Sequence, residues 1–386
     1  IGTIGSFMGN FDGGGHEIHN LHSEISSSTT VYVGLFGGLY RAHVAHVVLA
    51  DDCTVKGPTY VGGITGQALE STIRSCVNYA EVSVESPYGI AGGIVGISVS
   101  SVIDLCENRG TVSVMLQNTG AYSSYQGYVG GIAGSIVNSE SSLASVIINC
   151  SNHGEIVADA TVSDAVSYIG AILAKNSSRT QLLNCYNVGG VSLAGVGYAG
   201  GIMGFNSSWI QISNCYNLGY VLADSAFPIV PAADIVENSY YWSSCVDQDG
   251  SYQGFPMSED VMKTTGFAAR LNSWSNAYNA EEPEYAAMYW LVDAKQNGGF
   301  PVFTDVDPGY SAVEAAETGV CIYPTLASSV LYVSGAIEPV CLYNLAGRIE
   351  SITQPVEGVT VVDLSSLAPG IYIVRTGEHV SRIIKR

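Results

Sequence analysis

Charged residues are scarce in this chain of 386 residues, where Asp, Glu, Lys and Arg together make up only 12%. That is about half the usual share in globular proteins. Helices on a protein surface need a charged face, so the shortage disfavours a mainly helical fold. The chain is nevertheless 47% apolar and 10% aromatic, which excludes a disordered protein. With 45 Gly and 24 Tyr, this composition favours a β-rich fold with many turns.

Basic residues are the scarcest charged type: 14 Lys and Arg stand against 34 Asp and Glu, a formal net charge of −20. Such a surface repels phosphate backbones, so we expect no nucleic-acid partner. No run of about 18 apolar residues occurs, so we expect no membrane-spanning segment. The chain opens on Ile1-Gly2-Thr3 without Met or a recognisable signal peptide, which suggests that a leader segment has been removed.

A glycine-rich segment recurs through the first 200 residues, as in Tyr60-Val61-Gly62-Gly63-Ile64-Thr65-Gly66. Six copies begin at Tyr32, Tyr60, Ile90, Tyr128, Tyr168 and Tyr198. In the last five copies the first glycines are Gly62, Gly92, Gly130, Gly170 and Gly200. These glycines are 30, 38, 40 and 30 residues apart. The spacing predicts a structural repeat of about 30 residues, with loop insertions in the longer copies.

A second segment follows each of these five glycines and contains a cysteine, then an asparagine two residues later. The cysteines are Cys76, Cys106, Cys150, Cys185 and Cys215. The asparagines are Asn78, Asn108, Asn152, Asn187 and Asn217. Asn followed by Gly is typical of a turn, because both residues tolerate positive φ. A third segment such as Val82-Ser83-Val84 follows, so we expect three short strands per repeat.

One repeat of this kind cannot bury its own apolar side, whereas a stack of repeats can. The sequence therefore predicts an all-β fold whose main part is a parallel β-helix, or β-solenoid, with coils about 4.8 Å apart. Equivalent Gly, Cys and Asn residues would form columns along the stack. The asparagines would hydrogen-bond to one another. The cysteines would be buried free thiols in preference to disulfides, whose geometry is narrow.

The repeated segments resemble the GLUG family, named for its Gly-Leu-aliphatic-Gly core. The matching copies are Gly34–Gly38, Gly62–Gly66, Gly92–Gly96, Gly130–Gly134 and Gly200–Gly204. A further copy departs from the pattern with Ala171 and Ala174. With a lead-in strand before them and closing segments after them, the resemblance covers about residues 1–305. It implies an extracellular or cell-surface bacterial protein of adhesin type. Some members carry a zinc peptidase, but its His-Glu-x-x-His motif is absent here.

The last 70 residues alternate apolar positions with Gly and Pro turns, which predicts a small β-sandwich. This tail is similar to the C-terminal sorting domains of type IX secretion in Bacteroidetes, and that similarity also implies export. We therefore divide the chain into a GLUG-repeat β-solenoid (1–238), a closing segment and linker (239–315) and a sorting-domain-like sandwich (316–386). Within the closing segment we expect a helix over 258–274, with Ser258 as its N-cap.

Catalytic and metal-binding patterns are weak. Catalysis on a β-helix needs convergent carboxylates in a groove, whereas those of the repeats are scattered: Glu70, Glu81, Glu85, Asp104, Glu107, Glu140 and Glu155. His16, His19 and His22 would not share one strand face. The Asp-rich segments 247–250 and 305–307 fit turns better than Ca²⁺ sites. We therefore expect no enzyme, no metal and no cofactor.

Exposed aromatic rings are a common means of binding sugars and proteins, and Tyr240, Tyr241 and Trp242 form the densest cluster. The sequence accordingly predicts a non-catalytic secreted or cell-surface protein of a Bacteroidetes envelope. Its role would be adhesion or the binding of a host glycan or protein. The alternatives are a polysaccharide-active enzyme on a β-helix scaffold and a spacer subunit of a surface assembly.

Overall fold

A computed structural model describes residues 6–25, 31–118, 124–137, 144–248, 250, 252–310, 321–323, 326–327, 330–356, 359–377 and 379–385. The chain divides into two compact units. One comprises Ile1–Ser239 and Cys245–Gly254, and the other comprises Tyr240–Ser244 and Phe255–Arg386.

The first unit is a stack of coils in which the chain visits five parallel sheets in turn, here named sheets 1 to 5. The first coil runs through Asn10–Asp12, Glu17–Ile18, His22–Glu24, Tyr32–Val33 and Phe36–Tyr40. The chain then returns to sheet 1 at His43–Ala45, which pairs in parallel with Asn10–Asp12. The described chain is nearly all-β, and the expectation of long, stacked parallel sheets is confirmed.

Each later coil adds one strand to each sheet. Sheet 1 continues with His43–Ala45, Thr72–Arg74, Val102–Asp104, Ser145–Ile148, Thr180–Leu183, Ile210–Ser213 and Ile235–Glu237. Sheet 2 continues with Val48–Leu49, Val77–Asn78, Glu107–Asn108, Ser151–Asn152, Tyr186–Asn187 and Tyr216–Asn217. Sheet 3 continues with Thr54–Gly57, Glu81–Ser86, Val112–Leu116, Ile156–Ala160, Val191–Gly195 and Val221–Leu222. Sheet 4 continues with Tyr60–Gly62, Tyr88–Gly92, Tyr125–Gly130, Ala165–Gly170, Gly197–Gly200 and Ala226–Phe227. Sheet 5 continues with Thr65–Leu69, Val95–Val99, Ala133–Val137, Leu173–Ser177 and Met203–Asn206.

A coil contains five strands, so the expectation of three was wrong. The glycine-rich segment bends at Gly63 and Ile64 and contributes strands to both sheet 4 and sheet 5. The cysteine segment is broken at Ser75, whose φ of 52° is incompatible with a strand. Alternation in the sequence located the extended segments but did not reveal the corners inside them.

One buried cluster of the stack lies between sheets 3 and 4 and is filled mostly by β-branched and small residues. The buried members from sheet 3 include Val55, Val82, Val112, Ile156, Val191 and Val221. Those from sheet 4 include Val33, Val61, Ala91, Val129, Ile169 and Ala199. Full burial of one Val or Ile contributes about 1.5–3 kcal/mol, and each coil repeats the same contacts. The stack is therefore stabilised by contacts between coils, as expected for a repeat protein.

Glycine is required where the chain passes from sheet 4 to sheet 5. A Cβ at Gly130 would overlap the carbonyl oxygen of Ala133, and a Cβ at Gly170 would overlap that of Leu173. The strand register places the repeated glycines beside one another, for example Gly130 beside Gly92 and Gly170. Close backbone approach thus explains why this position is glycine in every copy.

The second unit begins with Tyr240–Trp242, which pairs in parallel with Phe255–Met257. Two helices follow, α1 (Glu259–Met262) and α2 (Thr265–Asn279). A hairpin of Tyr289–Leu291 and Val302–Thr304 encloses a 3₁₀ turn at Asn297–Gly299.

The single helix expected over 258–274 is therefore wrong. Thr264 is extended, with φ −92° and ψ 152°, and its hydroxyl accepts a hydrogen bond from the Phe267 N–H. Thr264 thus N-caps α2 and ends α1 after one turn. The Ser258 side chain makes no capping bond. Within the described residues no helix is both long and apolar enough to cross a membrane.

The described part of the tail contains two sheets. One has three strands, Cys321–Tyr323, Val330–Ser334 and Val359–Asp363. The other has five strands, Leu326–Ala327, Val340–Asn344, Ile349–Thr353, Gly370–Thr376 and His379–Lys385. Apolar residues from both sheets form one buried cluster: Leu331, Val333, Val340, Leu342, Val362, Leu364, Tyr372, Val374 and Ile383.

Candidate ligand-binding surface of the solenoid

The repeated asparagines form a hydrogen-bonded column in the solenoid interior. The side-chain amide of each donates to the next: Asn78 to Asn108 (2.9 Å), Asn108 to Asn152 (2.8 Å), Asn152 to Asn187 (2.9 Å) and Asn187 to Asn217 (2.8 Å). Each amide also donates to the carbonyl two residues later, for example Asn152 to Gly154 at 2.8 Å. All five side chains are fully buried, so this column stabilises the stack and cannot contact a ligand.

The repeated cysteines form a second buried column. Cys76, Cys106, Cys150, Cys185 and Cys215 are free, buried thiols, and Cys53 and Cys245 are buried free thiols outside this column. The thiol of Cys150 donates to the carbonyl of Ile148 at 3.2 Å. Burial raises the pKa of the Cys106, Cys150 and Cys185 thiols well above the ordinary value. Buried, protonated thiols are poor nucleophiles and metal ligands, so this column is structural.

A third column was missed from the sequence. Asn238 donates to Asn214, Asn214 to Asn184 (2.6 Å), Asn184 to Asn149 (2.8 Å) and Asn149 to the buried carboxylate of Asp104 (2.8 Å). The four asparagines have φ between 42° and 55°, a conformation that Asn tolerates. The available signal was the Asn directly before Cys150, Cys185 and Cys215.

The aromatic cluster singled out in the sequence does not form an exposed surface. Tyr240 and Tyr241 are buried and Trp242 is partly buried. The Tyr240 ring packs edge-on against Phe267, with ring centroids 5.2 Å apart. Tyr240 and Tyr241 therefore do not present the open rings that ligand binding needs.

The histidines and acidic turns also have local partners. His22 Nδ1 lies 3.0 Å from the Thr54 hydroxyl, and His46 Nδ1 lies 2.9 Å from Asp12. The Asp307 carboxylate accepts a hydrogen bond from the Gly309 N–H at 2.8 Å, as in an ordinary turn. Glu140 and Asp249 lie outside the described residues. Among the residues that the structure describes, no group of three His, Cys, Asp or Glu side chains could hold a metal ion.

The outer face of sheet 3 contains a groove of about 520 Å³, here called the sheet 3 groove. Its carboxylates are Glu24, Glu81, Glu85 and Asp159. The ammonium of Lys56 lies 2.8 Å from Glu85, and this hydrogen bond is the main reason that the pKa of Lys56 is raised. The Thr161 hydroxyl and N–H donate to Asp159 and lower its pKa. Asp159 is therefore held as a carboxylate and is unsuited to donate a proton.

The outer face of sheet 4 carries a row of aromatic rings, one per coil except at Ile90. The register aligns Tyr32, Tyr60, Ile90, Tyr128, Tyr168 and Tyr198. The rings are nearly parallel, with centroid distances of 5.1 Å for Tyr32 and Tyr60, 5.7 Å for Tyr128 and Tyr168, and 5.9 Å for Tyr168 and Tyr198. They are mostly half-buried, and Tyr198 is 37% exposed. The repeat fixes this row, because its first residue is usually Tyr.

Phe205 and Lys175 contact this row, and Arg179 and Trp209 form a cation–aromatic pair in the segments that follow the same two strands of sheet 5. Phe205 of sheet 5 stacks on Tyr168 at 4.3 Å. Lys175 Nζ donates to the Tyr128 hydroxyl at 3.0 Å and lies 4.6 Å from that ring's centroid. The Arg179 guanidinium lies 5.0 Å from the Trp209 ring. We call this surface the aromatic–cationic face and define it by six residues: Tyr168, Lys175, Arg179, Tyr198, Phe205 and Trp209.

A polar cluster on the outer face of sheet 2 joins three coils. The Glu107 carboxylate lies 2.8 Å from Arg109 and 3.2 Å from His153 Nε2, and His153 Nε2 lies 3.1 Å from the Tyr186 hydroxyl. Burial, reinforced by the Arg109 charge, lowers the pKa of His153 to about 4. Burial also raises the pKa of Tyr186 above its ordinary value. With its neutral imidazole and protonated phenol, this cluster links neighbouring coils through polar side-chain contacts.

The geometry therefore defines an all-β repeat protein whose parallel sheets fit a β-solenoid and whose outer face carries an aromatic row. No protein-family model matches the chain, and no curated protein matches it. Among solved structures, the chain is similar to a crystal structure from Bacteroides ovatus described as a candidate immunoglobulin A1 protease. The alignment covers 77% of each chain, with 20% sequence identity and a TM-score of 0.47.

Proposed function

We propose that this chain is a non-catalytic repeat protein of the bacterial cell surface, and that it binds a ligand through the aromatic row of sheet 4. The observation that carries the proposal is the alignment of tyrosines along the outside of the stack, of which Tyr32, Tyr60, Tyr168 and Tyr198 are partly exposed. A linear ligand such as a glycan chain or an extended peptide would contact several coils at once. Repeated weak contacts of this kind add through effective concentration.

The surface location rests on the two resemblances. The glycine-rich copies indicate a GLUG-repeat β-solenoid of about 30 residues per repeat, and the tail indicates a type IX sorting domain of Bacteroidetes type. The buried cluster that joins residues of both tail sheets, including Leu331 and Val374, supports the β-sandwich interpretation of that tail. On this proposal the protein is extracellular or attached to the outer membrane, where it mediates adhesion.

The proposal is tested by binding the purified protein to arrays of glycans and matrix proteins. We expect Tyr168→Ala and Tyr198→Ala to weaken the binding of the best ligand at least tenfold, because each removes a ring from the row. The matched control is Tyr220→Ala, which removes a 51% exposed tyrosine from outside the row. Equal affinity of all three variants, or no binding by the wild-type protein, would refute the proposal.

A second candidate function, a polysaccharide-active enzyme, is favoured by the sheet 3 groove. Glu85 and Asp159 occupy one row of sheet 3 with Met115 between them. Two strand spacings of about 4.8 Å put their Cα atoms roughly 10 Å apart, near the carboxylate separation of inverting glycosidases. Against this role, Glu85 pairs with Lys56 and Asp159 has a lowered pKa. Release of reducing ends from polysaccharides by the wild type, abolished in Glu85→Gln, would establish it.

A further inference from the structure

The chain segment 165–223, which carries the aromatic–cationic face, contains no acidic residue. Between Asp164 and Asp224 the charged side chains are Lys175 and Arg179, so residues 165–223 have a formal charge of +2 within a chain of −20. This local excess of positive charge coincides with the densest aromatic part of the solenoid surface.

These two cations also differ from the other basic residues of the solenoid in their partners. Four bases pair with carboxylates: Arg41 with Glu70, Lys56 with Glu85, Arg74 with Asp104 and Arg109 with Glu107. Lys175 and Arg179 instead contact aromatic groups, Tyr128 and Trp209 respectively. Within the described residues, neither has a carboxylate within ion-pair distance. Their charges are therefore available to an anionic group from outside.

Hydrogen-bonding capacity is available beside these cations. The hydroxyls of Tyr168 and Tyr198 have no hydrogen-bond partner among the described residues, and their ring centroids are 5.9 Å apart. Lys175 and Phe205 are cross-strand neighbours in sheet 5, and Phe205 packs on Tyr168. The face thus combines hydroxyl groups, apolar ring surface and positive charge within neighbouring coils.

We propose that the aromatic–cationic face binds an oligosaccharide that carries carboxylate groups, of the uronic-acid class. The sugar carboxylate pairs with Lys175 or Arg179, and the sugar hydroxyls hydrogen-bond to Tyr168 and Tyr198. This inference rests on the proposed function, since it names the ligand class of the same surface. A charge-assisted hydrogen bond is about twice as strong as a neutral one, so the carboxylate supplies the selectivity.

The net charge of the protein limits the ligand to a short or sparsely charged anion. At physiological ionic strength the other charges are screened beyond about 8 Å, so the acidic remainder does not prevent binding of a single carboxylate. A densely charged polyanion would extend over the acidic coils and be repelled.

The test is calorimetric titration of the full chain with a galacturonic acid trisaccharide and with the galactose trisaccharide, which has the same rings but no carboxylates. We expect the wild type to bind the acidic sugar at least tenfold more tightly. The Lys175→Gln/Arg179→Gln double variant should lose that preference and retain its affinity for the neutral sugar. The matched control is Lys56→Gln, which removes a base that already has a carboxylate partner. A thermal unfolding curve for each variant shows that it is folded.

The outcomes separate this inference from the proposed function. Equal affinity for the two sugars, with binding lost in Tyr168→Ala, would overturn the ligand class and leave the binding role intact. Tighter binding of a glutamate-rich peptide than of the acidic sugar would overturn the assignment to saccharides. Wild-type binding of array ligands that is unaffected by the tyrosine and lysine variants would refute both proposals.

Discussion

At some positions of this protein, the backbone conformation determines which residue type is favourable as much as side-chain packing does. The residue before each repeated cysteine has a positive φ, and Asn occupies that position in the later coils. Leu105 holds the same position with φ 56°, although a left-handed conformation costs roughly 1–2 kcal/mol for a residue other than Gly or Asn. Leu105 is thus the least favourable side chain at this corner.

Replacement of this leucine tests that view. We expect Leu105→Asn to increase the free energy of unfolding by about 1 kcal/mol, measured by urea denaturation, because Asn tolerates the left-handed region. Leu105→Ala is the control, since it shortens the side chain without making the left-handed backbone conformation more favourable. A Leu105→Asn variant no more stable than Leu105→Ala would show that side-chain packing governs this corner.

Protonation of His153 provides a second test at the same scale. Its pKa is about 4 in the folded chain against an ordinary 6.5, so folding favours the neutral form. The resulting stability is fully present above pH 6.5 and is lost as the pH falls towards 4. The loss is on the order of 3 kcal/mol. Denaturant titrations between pH 7 and pH 4 should show it, and His153→Gln should remove it. An unchanged pH dependence in that variant would assign the acid sensitivity to other groups.

At the scale of the element, each strand is held by its neighbours in the next coils. The Asn column is an example, because Asn152 both accepts from Asn108 and donates to Asn187. Asn152→Ala leaves the buried Asn108 amide and Asn187 carbonyl with fewer partners, and each unsatisfied group costs about 1–3 kcal/mol. We expect a loss of about 3 kcal/mol by urea denaturation. Ser113→Ala, on the outer face of sheet 3, should change the stability by less than about 0.5 kcal/mol. Similar effects of the two substitutions would argue against a structural role for the column.

At the scale of the whole molecule, the cysteines fall into two groups that differ in burial. Seven solenoid thiols are buried, whereas Cys341 of the tail is partly exposed. In a Cys321→Ser background, a chromogenic disulfide reagent should react quickly with one thiol in the native protein and with all eight in denaturant, because buried thiols are protonated and inaccessible. Fast reaction of several native thiols would show that the coils open readily.

Much of the architecture could be predicted from the sequence. The period of the glycine-rich segments and the scarcity of charge indicated stacked β-coils, since a repeat of that size can bury its apolar face only against its neighbours. The strand register pairs the same glycines and asparagines that the sequence aligns. The repeat pattern was sufficient to predict this architecture because equivalent residues of successive repeats lie next to one another in the stack.

Tertiary structure alone decided where the surface groups lie. Five strands replace the expected three because the chain turns at Ser75, where φ is positive, and bends at Gly63, and apolar alternation does not encode such corners. Within the Tyr240 cluster, which the sequence singled out as possible ligand-binding aromatics, Tyr240 and Tyr241 are buried, and the Tyr240 ring packs against Phe267. The aromatic–cationic face arises because stacking brings Phe205 of one coil against Lys175 and Tyr168 of the preceding coil. The sequence determined the repeat, and the folded stack determined which side chains meet on its surface.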